Sequence, residues 1–239
     1  MSSFTSHELI LACGQPGCPA CRVEQRALER YLSNQLYENV NSTALRDRLR
    51  ASRGFCKEHA WLGVDKHLGD PLGYAIIYHD VINNVLRQLE DALAQPAQGL
   101  AALQRRISEK ISGLVGTVIH AITPRKACPV CQEKEAITRM ILTALIKELD
   151  DAPLMDALRA SDGLCFLHLR LSLEAAQQNS AGFDSLLAIH RGKLESLRDE
   201  LAELIRKNDH RYIHDVLGRE GDAWRRAITI VAGSHHEED

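Results

Sequence analysis

The 239-residue chain has few aromatic residues, 5% in all: two Trp, four Phe and five Tyr. Its core must therefore be filled by Leu, Ile and Ala, within an apolar fraction of 45% that suffices for one large or two small domains. A surplus of either charge is also missing, since 29 Lys and Arg against 32 Asp and Glu leave a net charge of −3. That balance excludes wholesale disorder, which goes with low hydrophobicity and high net charge. It leaves no basic excess to neutralise phosphates, so nucleic acid is not an expected partner. No apolar run approaches the roughly 18 residues of a membrane span, so no membrane association is expected. The N-terminus MSSFTSHELILACG has no basic segment and only a short apolar patch. No export signal is read there, and a cytoplasmic location is expected. A Gly-rich phosphate loop, a Gly-x-Ser-x-Gly elbow and a His-Glu-x-x-His pair are all missing, so no catalytic residue is assigned.

What the chain does have is seven cysteines. Without an export signal they read as thiols or metal ligands rather than disulfides. Six of them fall in a pattern that occurs twice. Residues 45–59, LRDRLRASRGFCKEH, match residues 154–168, LMDALRASDGLCFLH, at nine of fifteen positions. Upstream, Cys18-Pro19-Ala20-Cys21 corresponds to Cys128-Pro129-Val130-Cys131. The chain reads as a tandem duplication of one unit, too long to be a solenoid repeat.

Periodicity makes the units helical. No segment shows the strict alternation of a half-buried strand. Asp70-Pro71 reads as an N-cap followed by proline at the first helical position. Behind it Ile82, Val85, Leu89 and Leu93 recur at spacings of three and four, up to a stop near Gln95-Pro96. A second helix is expected from about Leu100 to Ile122, ending at Thr123-Pro124. A third follows Gly182, with Leu194, Leu197, Leu201 and Leu204 on one face. The expected fold is an all-α helical bundle of two tandem pseudo-repeats, 1–98 and 99–239, the second carrying a C-terminal helical extension.

Each repeat carries Cys-x2-Cys and then Cys-x2-His. Pro19 and Pro129 suit the first position of a helix capped by the cysteine before them, and Gly54 and Gly163 supply turns ahead of Cys56 and Cys165. Residues i and i+3 share one face of a first helical turn, so each motif presents two ligands side by side. The helix N-terminus favours the thiolate that metals require. Two such starts facing each other make a three-cysteine, one-histidine set, a standard closed zinc site with no position left for a catalytic water. The expected ligands are Cys18, Cys21, Cys56 and His59 in the first repeat, and Cys128, Cys131, Cys165 and His168 in the second. Two zinc ions are the expected cofactors. Two iron–sulfur clusters are the alternative, since histidine can replace cysteine on iron. Cys13 lies outside the pattern and reads as an ordinary core or surface thiol. His79 and His190 sit at roughly equivalent places on long helices. They read as hydrogen-bonding groups at helix contacts, or as groups near the metal.

The tail, Arg206-Lys207-Asn208-Asp209-His210-Arg211-Tyr212 and then Asp222-Ala223-Trp224-Arg225-Arg226-Ala227, is dense in polar and ring groups. It reads as a solvated helix end or as a ligand or partner surface made by Asp209, His210, Arg211, Trp224 and Arg225. Trp224 is expected to be largely buried.

Together CPAC, GFCKEH, CPVC, GLCFLH and the ending IRKNDHRYIHDVLGREGDAWRRA resemble a bacterial family of unknown function, the one numbered 6062. The resemblance runs from about Cys18 to Gly233. One departure is His210, which stands where the family pattern has an aromatic after Asp209. The resemblance implies a bacterial source and a soluble protein, and carries no activity with it. Three function classes follow. The first is a non-enzymatic, zinc-stabilised interaction or scaffold module whose partner is another protein, a second copy of the chain included. The second is an iron–sulfur electron carrier or redox sensor. The third is an enzyme whose active site the sequence does not advertise.

Overall fold

A computed structural model of the chain describes residues 2–94, 115–149, 152–176, 180–212 and 214–234. Helices account for most of them, and no strand occurs among the described residues. The helices are α1 (Ser2–Cys13), α2 (Pro19–Tyr37), α3 (Thr43–Ser52), α4 (Lys57–Asp65), α5 (Pro71–Ala94), α6 (Pro129–Lys147), α7 (Ala152–Ala160), α8 (Phe166–Ala175), α9 (Ser180–Lys207) and α10 (Ala223–Ala232). Residues 115–122 are helical as well, and 3-10 turns cover His210–Tyr212 and Arg219–Asp222.

Proline sets several of the starts. Pro19, Pro71 and Pro129 each occupy the first position of a helix, where a missing N–H costs nothing and the fixed φ is already helical. Asp70 caps α5 as its sequence suggests, its carboxylate accepting from the Gly73 amide at 2.8 Å. The helix expected up to Ile122 does stop before Pro124. Residues 100–114 of that helix lie outside the described residues, as does the expected stop at Gln95-Pro96.

The chain divides into two compact units: residues 1–27 with 135–239, and residues 28–134. The division falls inside α2 and inside α6. The expected repeats, 1–98 and 99–239, follow the order of the motifs along the sequence and are a different division from these compact units. In the first unit α1 packs on α7, and α10 packs on α8 and α9. Leu9, Ile141, Leu145, Leu154, Leu158, Leu164 and Leu186 are fully buried there. The leucine stripe of α9 packs as expected in part: Leu197 is buried with Ala223 and Ile230 of α10, while Leu194, Leu201 and Ala227 line the contact.

In the second unit α3 packs on α5. Leu32, Leu36, Leu49 and Ile77 fill its interior. The Arg50 guanidinium of α3 reaches Asp80 of α5 at 2.7 Å and holds that carboxyl below its usual range. The stripe expected on α5 is rotated. Ile77 and Val81 are buried, but Ile82 is exposed.

Candidate metal centres

All four cysteine motifs open helices. Cys56 and Cys165 are N-cap residues with extended backbones, at φ −67°, ψ 166° and φ −68°, ψ 164°. Cys18 and Cys128 directly precede Pro19 and Pro129 at the starts of α2 and α6. The second ligand of each motif, Cys21, His59, Cys131 or His168, then lies on the first turn beside the first.

The grouping differs from the one the motif order suggests. Cys18 and Cys21 converge with Cys165 and His168, and Cys56 and His59 converge with Cys128 and Cys131. Neither repeat's cysteine pair meets its own Cys-x2-His. Helix length gives the reason. At ~1.5 Å per residue α2 carries the chain about 24 Å from Cys21 to its end at Tyr37, and the ten residues of α3 return at most about 15 Å. The second half repeats the mismatch, with 19 residues in α6 and nine in α7. Each complete group lies within one compact unit: Cys18, Cys21, Cys165 and His168 in the first, the other four in the second.

Within each group the ligand atoms all lie within 4.8 Å of one another. In the first, His168 Nδ1 is 3.3 Å from the sulfurs of Cys21 and Cys165 and 3.7 Å from that of Cys18, and Cys21 Sγ is 3.7 Å from Cys165 Sγ. In the second, His59 Nδ1 is 3.1 Å from Cys56, 3.4 Å from Cys131 and 4.0 Å from Cys128, and Cys56 Sγ is 3.7 Å from Cys131 Sγ. Thiolates on a tetrahedral ion with bonds of ~2.3 Å are about 3.8 Å apart, so both groups have the size of a one-ion site.

Electrostatics within the groups follow from crowding. Burial and the Cys165 and Cys21 thiols beside it push the Cys18 thiol well up. Burial and Cys56 push Cys131 up to about 12. The Cys165 thiol is pulled far down by hydrogen bonds from Cys18 and Cys21. Burial opposes a charge on His168, but Cys165, Cys21 and Glu24 outweigh it and lift the imidazole to about 11. Metal ligation takes thiolates and a neutral imidazole, so a cation entering the group would displace protons.

Several residues position these groups without touching a bound ion. Glu24, one turn beyond Cys21 on α2, accepts from His168 Nε2 at 2.9 Å, and both side chains are buried, at 5% and 2% exposure. This fixes the tautomer that turns Nδ1 toward the sulfurs. The Gly17 amide donates to the Asp162 carboxylate at 2.7 Å and the Cys18 amide to Ser234 Oγ at 3.0 Å, which pins the chain ahead of α2. Arg48 of α3 donates to the Pro129 carbonyl at 3.2 Å and so holds the start of α6. Sequence reading missed all of these. Only Glu24 left a signal, the three-residue step from Cys21.

The turns before Cys56 and Cys165 are alike in detail. Gly54 and Gly163 have φ of 94° and 89°, a region that costs a side chain strain. A Cβ on Gly163 would lie 2.8 Å from Lys193 Cδ and 3.3 Å from the His190 ring. His190 is buried. Its Nε2 accepts from the Leu164 amide and its Nδ1 donates to the Leu186 carbonyl, both at 2.8 Å. It is thus a hydrogen-bonding group at a helix contact, not a ligand. Its counterpart in the second unit is Tyr78, whose ring would lie 3.1 Å from a Cβ on Gly54. His79, the expected counterpart, is exposed and bonded to Asn83. Cys13 is a buried thiol beside Ser161, pushed up by burial.

The five tail residues do not form one surface. Asp209 is paired with Arg211 through two contacts, the shorter 2.7 Å, beside a His210 that is 89% exposed at its side chain. Trp224 and Arg225 stack on each other on α10, the guanidinium 5.0 Å from the ring centre. Among the described residues no hydrogen bond, ion pair or ring contact joins the two sets. Trp224 is 47% exposed rather than buried, because α10 turns Ala223, Ala227 and Ile230 inward and leaves Trp224, Ile228 and Val231 outside. Arg206 and Lys207 tie the loop back to α9: Arg206 reaches Asp215 at 2.8 Å, and Lys207 reaches Glu220 at 2.7 Å and the Val216 carbonyl at 2.8 Å.

Fold and site together define an all-helical protein with two three-cysteine, one-histidine groups that can hold metal ions. The profile of a family of unknown function, DUF6062, matches residues 13–238, and the chain belongs to that family. It is similar to an uncharacterised 23.9 kDa protein from the xynA 3′ region of Caldicellulosiruptor sp. (strain Rt8B.4), with 27% identity over 91% of this chain and 95% of that one. No solved structure matches the chain. No helix among the described residues is long and apolar enough to cross a membrane.

Proposed function

We propose that the chain is a non-enzymatic helical scaffold in which each three-cysteine, one-histidine group holds one zinc ion. The carrying observation is convergence: four soft ligand atoms lie within 4.8 Å of one another in each group. Zinc takes such a set as a closed tetrahedron, with histidine bound through Nδ1. Ligands of an iron–sulfur cluster sit on different irons and spread across the cluster, which this spacing does not suit. A closed set leaves no position for substrate, in keeping with a structural role. When bound, the ion would tie the first turn of α2 to that of α8, and the first turn of α4 to that of α6. The matched turns at Gly54 and Gly163 support reading the halves as two copies of one unit that exchange their cysteine pairs. The exposed apolar face of α10, with Trp224, Ile228 and Val231, supports a protein partner. Seven cysteines free of disulfides suit a reducing, cytoplasmic setting.

Anaerobic purification followed by elemental analysis and a visible spectrum tests the metal. The expected result is about two zinc per chain and no visible absorption, in line with closed structural sites. A brown protein with iron and acid-labile sulfide overturns it and makes electron transfer or redox sensing the leading function.

A further inference from the structure

The two groups share a ligand set but not their surroundings. In the first, Cys18, Cys165 and His168 are buried and only Cys21 is partly accessible. In the second, His59 and Cys128 are buried while Cys56 and Cys131 are both partly accessible. The first also has Glu24, buried and 2.9 Å from His168 Nε2. A carboxylate on the far nitrogen of a metal-bound histidine fixes the ring and raises its basicity.

Resting on the reading of both groups as one-ion centres, we infer that the centres are unequal. The Glu24-backed centre at Cys18, Cys21, Cys165 and His168 is the retentive one. The centre at Cys56, His59, Cys128 and Cys131 gives up its ion first, because two of its three cysteines are partly accessible to solvent and a competing chelator, against one of three in the other. Glu24 is a positioning residue of the first centre. It acts through His168 and touches no metal. The chain is then a scaffold with one permanent clamp and one that opens while the rest of the fold stays folded.

The test loads the full chain with cobalt(II), whose thiolate absorption reports occupancy, and follows metal loss in excess EDTA. The wild type is expected to lose cobalt in two phases of about equal amplitude. Removing such a carboxylate partner typically weakens a metal site about 10–100-fold, so Glu24→Ala should speed the slow phase by about that factor and leave the fast phase unchanged. Glu24→Gln keeps an acceptor oxygen and should fall between the two. If Glu24 merely supported packing, its loss would lower the melting temperature and speed both phases together. A single phase in the wild type overturns the inference. So does a Glu24→Ala variant that speeds the fast phase or neither. Uptake of fewer than two cobalt ions per chain overturns instead the one-ion reading of both groups.

Discussion

A buried imidazole can hold a turn in place only while one nitrogen stays unprotonated, and His190 shows the cost of arranging that. Its Nδ1–H is committed to the Leu186 carbonyl, so Nε2 is the acceptor for the Leu164 amide, one residue ahead of Cys165. Burial keeps the ring neutral by lowering its pKa below the usual 6.5. Replacing His190 with Ala leaves the Leu164 amide without its acceptor, a loss of about 1–3 kcal/mol in stability. A native pKa below the unfolded value means that this contribution is fully present above about pH 6.5 and fades as pH falls through that value toward the lowered one. Denaturant melts of His190→Ala and wild type should therefore differ most near neutral pH and converge in acid; a difference that does not change with pH contradicts the role. The eight cysteines and histidines of the two groups and the turns at Gly54 and Gly163 were legible, because Cys-Pro and Gly before Cys are local signals. Tyr78 was not. It packs against the Gly54 turn as His190 packs against the Gly163 turn, but tyrosine and histidine in a shared place leave no identity for a repeat comparison to find.

Among the elements, the helix starts could be read and the pairing of motifs could not. Pro19, Pro71 and Pro129 mark starts through their own geometry, whereas a gap of residues between two motifs says nothing about direction. Only the unequal lengths of α2 and α3, and of α6 and α7, show that a cysteine pair is carried away from its own Cys-x2-His. Trp224 was misread for a related reason. Its neighbours Ala223, Ala227 and Ile228 share its helix, but one residue is a turn of about 100°, and α10 buries the face beginning at Ala223. The loop between α9 and α10 is held by Glu220, which is buried and accepts from Lys207 Nζ and the Gly218 amide, both at 2.7 Å. Lys207 and then the Gly218 amide hold its carboxyl down at about 2. Because the native pKa lies below the unfolded one, its stabilisation is present above about pH 4.5 and is lost as pH falls toward 2. Glu220→Gln should melt lower than wild type near pH 7 and match it near pH 2. An equal deficit at both would mean that shape rather than charge makes the latch.

At the scale of the whole molecule, each centre joins segments far apart in sequence. Cys21 and Cys165 are 144 residues apart, and Cys56 and Cys131 are 75 apart. A crosslink by metal over such spans removes much of the freedom of the unfolded chain, as a long disulfide loop does. The leucine-filled interiors of the two units carry the remaining stability, so a centre can be deleted without losing the helices. This permits a direct test of the pairing by zinc content in double variants. Cys18→Ser with Cys165→Ser removes two ligands from one proposed centre. Cys18→Ser with Cys56→Ser removes one ligand from each. Elemental analysis of the two proteins, both still helical by circular dichroism, should give about one zinc per chain for the first pair and about none for the second. The reverse order, with the Cys18 and Cys56 pair keeping one zinc and the Cys18 and Cys165 pair keeping none, would place each cysteine pair with its own repeat and contradict the account.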